Sequence, residues 1–549
     1  MNPHLIIAPI LIPFVAGALM LLYDDRQRVA KFWLSLISVG LVLAGAVRLM
    51  VHAGADQGPA VYLLGDWAAP VAIVLVLDRL AALMLVLTAV LALASLVYAR
   101  ASWHRQGQHY FSLFQFLLMG LNGAFLTGDL FNLFVFFEVL LAASYGLLLH
   151  GSGRARVQAG LHYIAINLGG SLLFLLGVSL IYGLTGTLNM AQLATMMPQI
   201  PGADRPLVHL GFGLLGIAFL IKSGSWPLSF WLPNAYEAAP APVGAMFAIM
   251  TKLGVYAILR LGMLMLGAGA GASAGYGAVV LVALGLATVI FGMMGVLASR
   301  ALGRIAAHSV IVSSGTVLAV VGFALAGGGT GLLAGALYYM VGSTLAVAAL
   351  FLLVEPATRD DGGIAAMLAL TAEIYGSDPG GAEGPDTPDG PALPAGRALL
   401  SLCFAACLLA LAGLPPLPGF IGKLVMVQGA LGGPAGLSPA MVWGFVALLL
   451  LSGFATLVAL ARIGIQTFWA SDDGNSPVMA LEIAPPLALI ALLAVLSIGS
   501  EPALRYAGLT AAALQDPAGY ATGVLNTPRT AKSPAGVPET ASPLTGVMP

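Results

Sequence analysis

Glu138 stands in the middle of the apolar run GDLFNLFVFFEVLLAASYGLL, residues 128 to 148. Of the five lysines, Lys222, Lys252 and Lys423 stand inside equally apolar stretches, while Lys31 and Lys532 lie in polar ones. A charge at the centre of a bilayer costs about 2.5 to 3.5 kcal/mol on insertion scales, so such groups mark functional pathways and need partners. The chemistry open to a carboxylate and ammonium groups in one membrane interior is proton transfer. An ion pair about 4 Å apart is worth about 4 kcal/mol at an effective dielectric near 20, so moving Lys222 toward or away from Glu138 can load or release a proton. Each of the four residues falls about ten or more residues into its helix, and at 1.5 Å per residue all four share one depth. That suits a row of titratable sites running sideways through the protein, which His308, early in its own apolar helix, extends. The competing reading, buried pairs kept only for packing, is the weaker one, because apolar replacements of buried ion pairs often stabilise a protein.

Composition says what must hold these groups. Of 549 residues 59% are hydrophobic and 8% charged, with a mean hydropathy of +0.97, against roughly 25% charged in a soluble domain. The chain is therefore expected to be an all-α polytopic membrane protein, since continuous apolar runs close their backbone hydrogen bonds as helices. A net charge of -1 with no basic tract excludes a nucleic-acid partner, and no spacing of cysteines or histidines implies a metal or cofactor. Cys403 and Cys407, four residues apart on one apolar helix, read as small packing residues. The first apolar segment lacks a basic run before it and reads as a retained helix rather than a cleaved leader.

Runs of roughly 20 apolar residues match the hydrocarbon thickness and predict about 14 spans: 3 to 22, 31 to 52, 72 to 98, 110 to 127, 129 to 149, 162 to 184, 208 to 231, 242 to 265, 276 to 299, 305 to 326, 332 to 354, 398 to 431, 439 to 468 and 480 to 500. Loops after odd-numbered spans hold Arg26, Arg28, Lys31, Arg100, Arg105, Arg154, Arg156, Arg300, Arg304, Arg359, Arg397 and Arg462, whereas the internal loops after even-numbered spans hold Arg205 alone. Positive charge marks the cytoplasmic side. Both termini are then expected outside, which requires an even number of spans.

The seventh and twelfth spans are interrupted at depth, by IKSGSWPLSFWLP around Pro227 and by LAGLPPLPGFIGK with Pro415, Pro416 and Pro418. Broken apolar segments at corresponding places point to an inverted-repeat transporter. Glu138 precedes Lys222 by 84 residues and His308 precedes Lys423 by 115, an excess that a long loop absorbs. The expected organisation is residues 1–109 with three spans, a first repeat at 110–265, a second at 266–470 with a polar cytoplasmic loop at 355–396, a last span within 471–514, and a disordered external tail at 515–549.

The stretches TGDLFNLFVFFEVLLAASYGLLL, LIYGLTGTLNMAQLA, KSGSWPLSFWLPNAYEAAPAPVGAMFAIMTKLGVYAILR and LPPLPGFIGK resemble the D subunit of Mrp-type (Mnh, Pha) monovalent cation/proton antiporters, relatives of the antiporter-like subunits of respiratory complex I. The resemblance covers spans 3 to 13. It implies that Glu138, Lys222, Lys252 and Lys423 are the family's helix 5, 7, 8 and 12 proton-transfer residues, and that His308, in AAHSVIVSSG, takes the place of the family's helix 10 histidine. It also implies a multisubunit complex in the bacterial cytoplasmic membrane, with large A-type and small C-type subunits as partners, exchanging H+ for Na+ or K+. Gly342 stands where the family commonly has a helix 11 histidine, which leaves water or His308 to bridge that step. The other function classes are a proton-pumping subunit of a complex I-type or hydrogenase-type redox complex, and a structural membrane scaffold.

Several polar residues carry plainer expectations. Asp129 reads as the cap of the fifth helix, Asp78 and Arg79 either as residues snorkelling to the interface or as an electrostatic element, and His162 and His209 as residues at helix entrances. Tyr145, Trp226 and Trp231 read as packing or belt aromatics.

Overall fold

The structure, a computed structural model, describes residues 3–24, 27–55, 58–69, 71–359, 391, 393, 395–433, 437–468 and 478–529. In chain order its helices are α1 (Ala8–Leu22), α2 (Arg28–Gly54), α3 (Arg79–Ala99), α4 (Tyr110–Leu126), α5 (Leu130–Leu148), α6 (Arg154–Thr185), α7 (Met190–Met196), α8 (Arg205–Lys222), α9 (Leu232–Ala238), α10 (Ala241–Leu266), α11 (Ala278–Ala298), α12 (Leu302–Leu325), α13 (Thr330–Thr358), α14 (Gly396–Ala412), α15 (Pro418–Leu431), α16 (Pro439–Phe468), α17 (Ala480–Ile498), α18 (Ser500–Leu514) and α19 (Pro517–Leu525). Among the described residues eleven helices are long and apolar enough to cross a membrane, and α1, α4, α14 and α15 are shorter apolar helices.

Burial sorts the helices by position. The membrane-length windows of α10 and α12 are 100% buried and that of α13 is 89% buried, against 33% for α2, α11 and α17. Helices apolar all round and buried all round form the centre, and those with an apolar outer face meet lipid. The centre therefore consists of the helices bearing Lys252, His308 and Gly342. Small residues bring the surrounding helices close to this centre: a Cβ on Gly254 of α10 would lie 2.7 Å from the backbone N of Ser223 and 2.9 Å from the carbonyl O of Phe219, at the end of α8. Gly285 of α11 meets the backbone of Ala319 on α12 in the same way, the usual means of close helix approach where lipid supplies no hydrophobic drive.

Side-chain caps fix several helix starts. Asp129 accepts from Asn132 N at 2.9 Å to begin α5, and Asn189 accepts from Ala191 N and Gln192 N at 3.0 and 3.1 Å to begin α7. Each cap satisfies backbone donors that a first helical turn leaves open.

The span expected at 72 to 98 begins differently. Residues Val74–Leu77 form strand β2, antiparallel to β1 (Ala60–Leu63) with Ala60 opposite Leu77, and the helix starts only at Arg79. A buried strand and a buried helix are equally apolar, so the run VAIVLVL does not separate them. The span expected at 398 to 431 is two helices, α14 and α15, and α6 begins eight residues before the expected 162, which puts the exposed His162 inside a helix rather than at its entrance. The polar loop expected at 355–396 starts later, because α13 continues through Thr358; residues 360–390 lie outside the described ones.

The tail expected to be disordered from 515 is partly folded. Helix α19 seats Tyr520, Ala521 and Val524 in the core, against α7 and β1, and Asp516 caps it by accepting from Gly519 N at 3.1 Å. The remainder, 530–549, lies outside the described residues. Three apolar side chains among prolines and glycines give too weak a pattern to read from sequence. Truncation after Gln515 should lower the amount of complex recovered from membranes, measured by blotting this chain, whereas truncation after Arg529 should not; equal recovery from both would show that α19 contributes nothing to assembly.

Candidate functional site

Lys222 is the last residue of α8, not a mid-helix residue, because Ser223 and Gly224 (φ +65) turn the chain out of the helix. The freed carbonyls find donors in the break: Trp231 Nε1 donates to Ile221 O at 3.2 Å and Ser225 N to Leu220 O at 3.0 Å. Trp231 is thus a fully buried tie across the break and not a belt aromatic. A cation at a helix C-terminus also meets the negative end of the helix dipole. The ammonium of Lys222 lies 5.0 Å from the Phe137 ring centroid and donates to Ser171 Oγ on α6 at 3.4 Å. Ser171 Oγ in turn donates to Glu138 Oε1. The pair expected from the sequence is therefore bridged by a hydroxyl, and three helices, α5, α6 and α8, converge on it.

Lys252, on the opposite side of the α8–α10 contact at Gly254, is 1% exposed. Its Nζ donates to Ser314 Oγ on α12 at 3.0 Å and to Val310 O at 3.5 Å. The neighbouring Ser313 shares a hydrogen bond with Ser343 of α13 at 2.7 Å, and Tyr339 lies one turn earlier on the same helix. These hydroxyls cross from α12 to α13 and end beside α15, where Gly422 lies against Tyr339.

Lys423 follows Gly422 on α15. The chain breaks between α14 and α15 at Gly413 (φ +78) through Leu417, with Pro415 and Pro416 inside the break and Pro418 at the first position of α15. Lys423 Nζ reaches back to donate to Ala412 O at 3.0 Å, at the C-terminal end of α14. It borders a cavity of about 350 Å³ lined by Ala412, Gly413, Leu449 and Gly453 among others. Gly342 sits on Pro418, where a Cβ would come within 3.0 Å of the proline Cβ, so the position of the family histidine is filled by the helix break itself.

His308 is not brought to Lys252. Its ring lies against Gly295 and Phe291 of α11, 5.9 Å from the Phe291 ring centroid, and its Nδ1 has no hydrogen-bond partner among the described residues. Six residues separate it from Ser314, about 9 Å along α12, toward the start of that helix.

A family model described as NADH:quinone oxidoreductase/Mrp antiporter, TM matches residues 127–375. A protein of Rhizobium meliloti (strain 1021), named as the D subunit of a probable K(+)/H(+) antiporter, is 52% identical over 535 residues, covering 96% of this chain and 98% of that one. The chain belongs to the Mrp-type antiporter D subunits. The D subunit of a Na(+)/H(+) antiporter from Alkalihalophilus pseudofirmus is 33% identical, over 95% of this chain and 99% of that protein. Among solved structures, a chain of the Mrp complex from Dietzia sp. DQ12-45-1b superposes with a TM-score of 0.78 at 26% identity, covering 96% of this chain and all (100%) of that one. A chain of respiratory complex I from Thermus thermophilus, at 23% identity and a TM-score of 0.71, shares the fold.

Three features of this Mrp-type protein were not read from the sequence. Ser171, Ser314 and the hydroxyls around Ser343 are one. A serine in an apolar helix is too common to single out, although the SSG doublet after His308 was a usable signal. The second is a buried ion pair: Arg260 of α10 meets Asp78 with Nη1–Oδ2 at 2.5 Å and Nη2–Oδ1 at 2.7 Å, its guanidinium flanked by the Tyr256 and Tyr520 rings at 5.5 and 5.4 Å. Asp78 also caps α3 by accepting from Ala81 N at 2.9 Å. Asp78 is therefore one end of a largely buried ion pair, the electrostatic one of its two expected roles, and Arg260, an arginine within an apolar helix, was the missed signal. The third is Glu355 at the end of α13, which accepts from Trp103 Nε1 at 2.8 Å, Tyr98 OH at 3.2 Å and the backbone N of Ala241 at 2.8 Å. A carboxylate from α13 thus caps α10, the helix that carries Lys252.

If Ser171 bridges Glu138 and Lys222, Ser171→Ala should lower cation-driven proton movement about tenfold, the value of about one hydrogen bond to a charged group, with normal amounts of complex. Unchanged exchange in vesicles would remove Ser171 from the path.

Proposed function

We propose that this chain is the proton-translocating subunit of a multisubunit monovalent cation/proton antiporter, a transporter subunit rather than an enzyme. The contact that supports this most is the Glu138–Ser171–Lys222 bridge, in a chain 52% identical to a protein named as part of a K(+)/H(+) antiporter. Transfer of a proton from Lys222 Nζ to Ser171 Oγ, while Ser171 passes its own to Glu138 Oε1, neutralises both charged groups and leaves the serine unchanged. The reverse step restores both charges. From Lys222 the path runs through water to Lys252, then along Ser314, Ser313, Ser343 and Tyr339 toward Lys423, with His308 serving access from the cytoplasmic side.

The eleven long helices with α1, α4 and the α14–α15 pair make fourteen crossings, arranged as two inverted repeats that superpose Glu138 on His308 and Lys222 on Lys423. With the basic loops inside, both termini lie outside the bacterial cytoplasmic membrane. Partners are the other subunits of the complex, the A-type and C-type ones among them. The exchanged cation is potassium, because the relative named for potassium is 52% identical and the relatives named for sodium are 33% identical.

The test is exchange by the whole complex in vesicles carrying an imposed proton gradient and no electron donor. Potassium should collapse the gradient more strongly than sodium. A proton movement that appears only when a redox substrate is added would establish a redox-driven pump instead.

A further inference from the structure

We propose that Arg156 is a positioning residue of the proton path: it ties the short helix α9 to the turn between α5 and α6, and so holds Lys222 within reach of Ser171. The inference rests on the reading of the Glu138–Ser171–Lys222 bridge as that path. Arg156 lies in the first turn of α6 and is half-buried. Its Nη1 donates to Ser152 O at 3.0 Å and to His150 O at 3.3 Å, both in the turn after α5. Its Nε donates to Ala238 O at 3.1 Å, on the last residue of α9, where a cation also meets the negative end of that helix. Gly151, at φ +79, leaves the guanidinium room, since a Cβ there would lie 3.0 Å from Nη1. Arg156 Cζ stands 4.8 Å from the centroid of the Trp103 ring, whose Nε1 holds Glu355, the cap of α10. One planar fork thus joins the helices that carry Glu138, Ser171 and, across the break, Lys222, a geometry that a single ammonium does not reproduce.

The near end of α9 is fixed to α8. Trp231, immediately before α9, donates to Ile221 O at 3.2 Å, next to Lys222. The seven residues of α9, about 10 Å of helix, therefore separate the hold at Ala238 from the tie that sets the end of α8. Arg304 of α12 also reaches α9, at Glu237 Oε2 at 2.7 Å, but its side chain is 46% exposed, and exposed pairs contribute little. The sensitive contact is the one from Lys222 to Ser171, which at 3.4 Å is near the limit of a hydrogen bond. Releasing α9 shifts Lys222 and loses that contact, while Glu138 and Ser171 stay together on α5 and α6. A displacement of about 1 Å in such a group costs up to about 100-fold in rate.

The experiment is potassium-driven proton movement by the whole complex in vesicles, for wild type, Arg156→Ala and Arg156→Lys. Arg156→Ala should assemble in normal amount, lose about tenfold in maximal rate and keep the half-saturating potassium concentration, the mark of slower proton transfer rather than weaker cation binding. Guanidinium chloride added to the assembled alanine variant, far below denaturing concentrations, should restore part of the rate, and choline chloride of equal ionic strength none; a folding defect would not respond in this way. Arg156→Lys keeps the charge without the fork and should fall between wild type and alanine. A wild-type maximal rate in either variant overturns the proposal. So does a slow alanine variant that guanidinium leaves slow, and so does failure of both variants to assemble, which would make Arg156 a folding residue. If the alanine variant alone fails to assemble, the maximal rate of the lysine variant decides by the same criterion. Absence of exchange from the wild-type complex would instead overturn the proton path itself.

Discussion

Glu138→Gln and Lys222→Ala should each lower cation-driven proton movement by the whole complex about 100-fold or more, the range expected when a positioned proton-transfer group is lost. The reason lies in the bridge: with either end gone, Ser171 can no longer give up its proton at one side and regain it at the other. The double variant should be no worse than either single one, because residues that act as one unit are not additive. Protein levels should stay near wild type, since Glu138 keeps some exposure and Lys222 keeps the end of α8 and the Phe137 ring as neighbours. Lys222→Arg divides the possibilities further. Arginine keeps the charge and does not release a proton, so partial activity would mean that Lys222 acts on Glu138 by charge alone, and full loss that it carries the proton. Vesicle exchange assays read all four variants.

The largest effect on stability is expected at the Asp78–Arg260 pair, where the side chains are 15% and 6% exposed. Removing one member of a buried pair leaves an uncompensated charge and costs about 3 to 5 kcal/mol, and the remaining exposure of Asp78 places Arg260→Ala toward the lower end. The loss should spread, because Arg260 sits between Tyr256 of α10 and Tyr520 of α19 and so ties the centre of the protein to its C-terminal helix. Asp78→Asn/Arg260→Met should be milder than Arg260→Ala, since asparagine still caps α3 and no lone charge remains. The thermal unfolding midpoint of the detergent-purified complex, with the amount of this chain in membranes, measures this. An Arg260→Ala complex as stable as wild type would show that the pair is solvated in the assembled complex.

What could be read from the sequence followed the strength of each physical signal. The membrane class and the span positions of α10 and α16 to within a residue came from runs of apolar residues that admit few alternatives. The burial of Lys222, Lys252 and Lys423 was legible because a charge in such a run is rare, whereas the end of α8 at Lys222 was not. Nor were the lysines' partners. Ser171 meets Glu138 only because α6 packs on α5 at that point, and Lys423 meets Ala412 only because the break at 413–417 leaves the Ala412 carbonyl within its reach, both tertiary facts with no local signature. The same holds for Glu355, which sequence assigns to a polar loop and packing assigns to the start of α10. Strand β2 was lost for a different reason: an apolar run shared between a strand and a helix has one hydropathy and two periods.

The proton row is tested most directly at its middle. Among the described residues Lys252 has no acidic partner, only Ser314 Oγ and Val310 O, so Lys252→Ala removes a buried charge, breaks no ion pair and should leave the amount of complex unchanged. Proton uptake by proteoliposomes containing the purified Lys252→Ala complex, followed with a pH-sensitive dye after a potassium pulse and again after a sodium pulse, is then the decisive reading. No cation-driven signal above empty liposomes is the result expected if protons cross from Lys222 to Lys423 through Lys252; uptake at the wild-type rate would contradict the row.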